Sequence, residues 1–208
     1  MEKRAKIAVL VSGGGTNLQA LIDFEKAGKL KHGKLSLVLS NKPGVYALER
    51  AEKAGIQTCV VDKKSFPDRE RFESEILNVL SANNIDMIVL AGFMCILSES
   101  FTSRFPERMI NVHPSLIPSF CGEGFYGLHV HEAALSYGVK VTGATVHFVN
   151  EVPDGGRIIL QKAVPVHRND TPETLQRRVM ERAEWKILPR AAEIVATGIV
   201  SSEKSKEV

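Results

Sequence analysis

Cysteine is scarce in this chain. Three occur in 208 residues, Cys59, Cys95 and Cys121, an odd number at spacings that match no zinc pattern. Neither a disulfide framework nor a metal site is expected, and a reducing cytosol suits the composition. Long apolar runs are missing too. The first one, IAVLV, stops at glycines after five residues, too short for a secretory signal, and no segment approaches the length of a membrane-spanning helix. Charge of one sign is also lacking: 27 Lys and Arg stand against 24 Asp and Glu, for a net charge of +3. The two signs are interleaved, which leaves no stripe for nucleic acid. Repeats, low-complexity blocks and long linkers are absent. The expectation is one cytoplasmic domain over residues 1–208, with about 197–208 a flexible tail, that binds neither nucleic acid nor membrane.

What the chain does contain is a regular alternation. Short apolar, β-branched runs at 6–12, 35–41, 58–62, 87–93 and 109–113 alternate with helix-like segments at 17–28, 46–55 and 68–83. Near-continuous apolar runs predict strands covered on both faces, hence a parallel sheet with crossover helices. The later part differs. After a helix over 127–138, the runs 143–150 and 157–166 are joined by EVPDGG, a link short enough to pair them antiparallel. A long helix follows from about 170, capped by Asp170 or Thr171 with Pro172 in its first turn, and Pro189 is expected to kink or break it. The predicted fold class is α/β: an open, mostly parallel Rossmann-like sheet with flanking helices and an antiparallel C-terminal annex.

Three stretches carry candidate chemistry. SGGGTN (12–17) follows a strand and opens a helix, where converging backbone N–H groups and the helix N-terminus suit a phosphate. Gly15, Thr16 and Asn17 are its candidate contacts. The loop lacks the Lys of a nucleotide-triphosphate loop and the spacing of a dinucleotide fingerprint; by itself it is equally a tight turn. In MINVHPS, Asn111 and His113 lie two apart on a strand and so face the same side, at the carboxyl edge where open α/β sheets bind ligands. An imidazole there can handle a proton and an amide can donate to an oxyanion, although a lone Asn-x-His is more often part of a satisfied core. Asp154, in an ordinary Pro-Asp-Gly-Gly turn, gains interest if the strand holding His147 lies beside the one holding His113. The loop would then emerge at the same edge and its carboxylate could orient the imidazole. Finally LAGFMCIL (90–97) ends a strand with glycine and large apolar residues, a core stretch that could also line a groove for a flat ligand.

SGGGTN, LAGFM, NVHPSLIP, TGATVHFV and PDGG occur here in the order and at the separations of the phosphoribosylglycinamide formyltransferase family, which the chain resembles over about residues 5–196. The resemblance implies formyl transfer from 10-formyltetrahydrofolate, as co-substrate and without a metal, to the amine of glycinamide ribonucleotide in purine synthesis. It implies a catalytic trio of Asn111, a protonated His113 and Asp154. It places Gly15, Thr16, Asn17 and Glu184 at the ribonucleotide, and Leu90, Met94, Cys95, Ile96, Leu97 and Val149 around the folate, with Arg69 near the folate's tail. Only small-molecule partners follow, in a monomer or homodimer. Two departures stand out: many members have Arg where this chain has Cys95, and the SFCGEGFYGLHVHEA stretch is longer than in some. Within the same resemblance, a deformylase is expected to carry an extra N-terminal domain and a methionyl-tRNA formyltransferase an extra C-terminal one, and 208 residues accommodate neither. A non-catalytic phosphometabolite-binding protein that keeps only the glycine loop is the alternative from another class.

Overall fold

The computed structural model describes residues 3–204. Seven strands form one sheet in the order β3-β2-β1-β4-β5-β6-β7. They are β1 (Ala5–Val11), β2 (Gly33–Ser40), β3 (Gln57–Val60), β4 (Met87–Leu90), β5 (Met109–His113), β6 (Val141–Phe148) and β7 (Ile158–Pro165). The pairings from β3 to β5 are parallel and β6–β7 is antiparallel, as the sequence predicts, and β5–β6 is antiparallel as well. The helices are α1 (Thr16–Lys26), α2 (Tyr46–Lys53), α3 (Arg69–Ala82), α4 (Glu99–Thr102), α5 (Leu128–Tyr137), α6 (Pro172–Val179) and α7 (Trp185–Lys204).

The apolar runs are continuous because the sheet has two cores. Ile7, Val9 and Val11 of β1 pack with α1, α2, α6 and α7 on one face. Ala8 and Leu10 pack with Phe72 and Ile76 of α3 and with Phe101 of α4 on the other. Each fully buried aliphatic or Phe side chain contributes roughly 1.5–3 kcal/mol by leaving water. In β5 the same alternation sends Ile110 and Val112 to the first core and Met109 to the second. Asn111 and His113 share the Met109 side.

The elements differ from the sequence reading in four places. β3 and β4 end early, at Val60 and Leu90; after β4 the backbone turns at Gly92, whose φ is 73°. The four-residue α4, capped by the Ser98 side chain, is too short to show a period. Pro189 neither ends nor breaks its helix: it lies inside α7. The helix changes step earlier, in a π-helical turn over Met180–Glu184. The tail expected from about residue 197 is helical through Lys204, with Ile199 and Val200 buried, because the apolar spacing continues past Gly198. At the start of α6, Thr171 is the cap and forms a reciprocal capping box with Thr174.

Candidate active site

Strand order reverses between β1 and β4, since β1 continues to β2 on one side and meets β4 on the other. A crevice therefore opens beyond their carboxyl ends. It leads into a cavity of about 670 Å³, within the range of small-molecule sites. The Ser12 hydroxyl at the end of β1 accepts the Met94 N–H at 2.8 Å, tying together the loops on its two sides.

The SGGGTN loop is fixed from behind. Gly15 caps α1 in the left-handed conformation (φ 71°), and a Cβ there would lie 2.7 Å from the Ala47 Cβ, so only glycine fits. Arg50 holds the Gly14 carbonyl at 2.8 Å. Of the three expected phosphate contacts, Thr16 and Asn17 line the cavity and Gly15 does not. Asn17 donates through Nδ2 to Glu184 at 2.7 Å. Burial pushes the Glu184 carboxyl up to about 7, against the lowering effect of that hydrogen bond. A carboxyl half-protonated at neutral pH is far from an ordinary solvated helix glutamate.

Across the cavity, Leu90, Met94, Cys95, Ile96, Leu97 and Val149 all contribute to the wall. Met94 and Ile96 are 52% and 61% exposed, which suits a surface that an apolar ligand covers. The Cys95 sulfur accepts the Asn41 amide N–H at 3.0 Å. Arg69 is not among these residues. It pairs with buried Glu73 at 2.8 Å, and Glu73 in turn holds the Ser98 N–H and hydroxyl. Arg69 thus serves to anchor the loop after β4.

Asn111 and His113 meet Asp154 by a route different from the expected one. β6 is antiparallel to β5, with Phe148 opposite Ile110 and Thr145 opposite His113, so the loop after β6 leaves at the far end of β5. It folds back over the sheet face. Asp154 turns in the left-handed region (φ 56°), and a Cβ on Gly156 would lie 1.8 Å from the Phe148 carbonyl oxygen, so glycine is required for the return. The Asp154 carboxylate then stands 3.3 Å from His113 Nδ1 and 3.4 Å from His147 Nε2, and accepts the Gly122 N–H at 2.9 Å.

The proton positions follow from these contacts. His147 Nδ1 faces the Phe148 carbonyl at 2.8 Å and so carries the hydrogen. Its Nε2 lies between the Asn111 amide nitrogen at 3.3 Å and the Asp154 carboxylate at 3.4 Å. An Asn111 N–H reaches Asp154 only at 3.5 Å, the weakest contact of the group and the proton free to be redirected. His113 Nε2 faces the Phe120 carbonyl at 2.8 Å and donates to it. That carbonyl is held in place because the turn after Pro114 is bonded through Ser115 to Ser119 and through Ser115 and Ile117 to Thr145.

Burial lowers the His113 pKa, with His147 acting in the same direction; the Asp154 carboxylate and the Phe120 carbonyl oppose them without prevailing. The ring is therefore held toward its neutral form, contrary to the protonated state expected above. For Asp154, burial acts upward, but the hydrogen bond with His147, the His113 charge and the Gly122 N–H outweigh it, and its pKa is lowered. His147 belongs to the cluster and was not among the expected site residues. His131 also lines the cavity, buried, with neither ring nitrogen partnered; burial and nearby His113 push it down to about 4. Both histidines fall in apolar patterns that read as core. Among the described residues no group of His, Cys, Asp and Glu is arranged to hold a metal, and no helix is long and apolar enough to cross a membrane.

The arrangement puts a proton-handling cluster between polar and apolar cavity walls. The formyl transferase family profile matches residues 5–192. The phosphoribosylglycinamide formyltransferase of Escherichia coli K12 is 42% identical over 92% of this chain and 87% of its own length. The human trifunctional purine biosynthetic protein adenosine-3 is 49% identical over 96% of this chain, which spans only 19% of that protein. A crystal structure of glycinamide ribonucleotide transformylase 1 from Symbiobacterium toebii superposes with a TM-score of 0.87 at 41% identity, covering 94% of this chain and 89% of that one. With the fold, the length of the match and the level of identity in accord, this chain belongs to the formyl transferase family.

Proposed function

We propose that the chain transfers the formyl group of 10-formyltetrahydrofolate to the amine of N1-(5-phospho-D-ribosyl)glycinamide, giving the N-formyl product and tetrahydrofolate, in purine biosynthesis. The observation that carries this reading is the Asp154 carboxylate, 3.3 Å from His113 and 3.5 Å from Asn111. This cluster lies in one cavity with Thr16, Asn17 and Glu184 on one side and the loop from Met94 to Leu97 on the other.

The neutral amine attacks the formyl carbon, a C–N bond forms, and the carbonyl electron pair moves onto oxygen. Asn111 turns its loosely held N–H to that oxyanion. His113, neutral at the start, takes the proton shed by the amine at Nδ1, where the Asp154 carboxylate favours the cation. Positive charge thus arises beside the oxyanion only as the oxyanion forms. The proton then passes to the folate nitrogen as its bond to the formyl carbon breaks. In this assignment Thr16 and Asn17 meet the ribonucleotide phosphate with Glu184 near the sugar, and Leu90, Met94, Cys95, Ile96, Leu97 and Val149 hold the pterin.

The test is to follow tetrahydrofolate release from 10-formyltetrahydrofolate with and without the ribonucleotide. Release that requires the ribonucleotide and matches N-formyl product one for one is expected. Ribonucleotide-independent release would make the chain a hydrolase, and no release under either condition would leave a binding protein.

A further inference from the structure

A second cavity, of about 420 Å³, opens between α1 and α7. Its lining carries Lys29, Arg50, Lys186 and Arg190 against the single carboxylate of Asp23. Asp23 already accepts the Gln19 amide at 2.9 Å, and Arg50 is engaged by the Gly14 carbonyl and the Gln19 side chain. Lys29, Lys186 and Arg190 are exposed and have no hydrogen-bond or ion-pair partner among the described residues. The wall also holds Trp185, whose indole Nε1 is buried and unpartnered.

Three unpaired cations around one concavity describe an anion receptor. The groove is also connected to the chemistry described above. Thr16, at the start of α1, lines both cavities, while the Glu184 carboxyl that faces the main one directly precedes Trp185 in the chain. We propose that this groove binds a small phosphate monoester at a site separate from the reaction cavity, with Lys29, Lys186 and Arg190 meeting the phosphate beside Trp185. The inference goes beyond the formyl-transfer reading and does not depend on it. A phosphate suits the groove better than a carboxylate, because several cations can each find an oxygen on a tetrahedral headgroup that carries up to two negative charges.

Trp185 is the only tryptophan in the chain, so the site reports on itself. The experiment titrates the full chain with inorganic phosphate and with ribose 5-phosphate at constant ionic strength, and follows intrinsic tryptophan fluorescence. The same titrations are run on the Lys186→Ala/Arg190→Ala variant, with its melting temperature and formyl-transfer kinetics measured in phosphate-free buffer. A saturable change is expected in the parent, weakened at least about tenfold in the variant, as befits the loss of two charge-assisted contacts. The variant should keep its melting temperature and its KM for the ribonucleotide. A non-saturable or unchanged signal in the parent, or equal affinity in parent and variant, would overturn the proposal. So would a KM for the ribonucleotide that rises in step with the lost phosphate affinity, since these cations would then serve the substrate in the main cavity. Failure of formyl transfer itself would refute the proposed reaction and leave the fluorescence result standing.

Discussion

Replacing Asp154 by Asn isolates charge from shape. Asparagine tolerates the left-handed backbone at this position (φ 56°), and its amide oxygen can still accept the Gly122 N–H. What disappears is the negative charge 3.3 Å from His113 Nδ1. At an effective dielectric of about 20, unit charges at that separation attract by about 5 kcal/mol. At 1.36 kcal/mol per decade this caps the rate loss near 10³- to 10⁴-fold. Desolvation of two buried groups offsets part of the attraction, so kcat/KM is expected to fall on the order of 10²- to 10³-fold. The pH profile gives the more specific readout. Burial already lowers His113 and the carboxylate opposes it, so the variant's imidazole drops further and the acid limb of kcat/KM moves to lower pH. Stability responds in a defined sense: the Asp154 pKa is lowered in the fold, so its contribution is present at neutral pH and lost as pH falls through the folded value. The assay is a kcat/KM profile from pH 5 to 9, alongside thermal melts over the same range. A folded variant with kcat/KM within tenfold of the parent and an unmoved acid limb would refute the coupling of Asp154 to His113.

Two further outcomes follow from groups that burial displaces. Glu184 is raised from 4.5 to about 7, so the fold favours its protonated form and loses up to about 3 kcal/mol as pH rises from below 4.5 through 7. Glu184→Gln should flatten the melting temperature between pH 5 and 8, and an unchanged slope would contradict the buried, titrating carboxyl. His131, lowered from 6.5 to about 4, works in the opposite direction: the fold favours the neutral ring and loses roughly 3 kcal/mol as pH falls through that window. His131→Phe should therefore unfold at a lower pH in an acid titration followed by circular dichroism, whereas an identical acid midpoint would count against the orphan imidazole.

The sheet was legible because strands covered on both faces must be apolar throughout, and the pairing of Asn111 with His113 was legible because strand side chains alternate. Asp154 was reached by a different path from the one the spacing suggested. Sequence can show that a turn is tight, but the direction of the return over the sheet depends on the β5–β6 register and on the glycine at 156. The pairing of Arg69 with Glu73 was not legible, because nothing in the sequence marks that carboxylate as buried in the folded protein. His131 and His147 sit among apolar residues, where a histidine pattern alone does not separate a packed ring from one facing a cavity. The protonation of His113 was equally beyond the sequence, since it depends on how far burial outweighs one carboxylate and one carbonyl.

The wide turn at Met180–Glu184 sets the phase of everything after it. A turn closed by i→i+5 hydrogen bonds takes about one residue more than an α-helical turn to come round the axis, so this segment holds an extra residue while Ile187, Leu188 and Ala191 keep their seats in the core and Glu184 stays on the cavity wall. Each residue of an α-helix advances the chain by about 100°, so one residue fewer in the regular helix just beyond it would swing the following side chains out of the core. The C-terminal helix therefore works like a key whose teeth are cut at one angle. The wide turn is the place along it where the loss of one residue restores a regular α-helical step and leaves those teeth in phase.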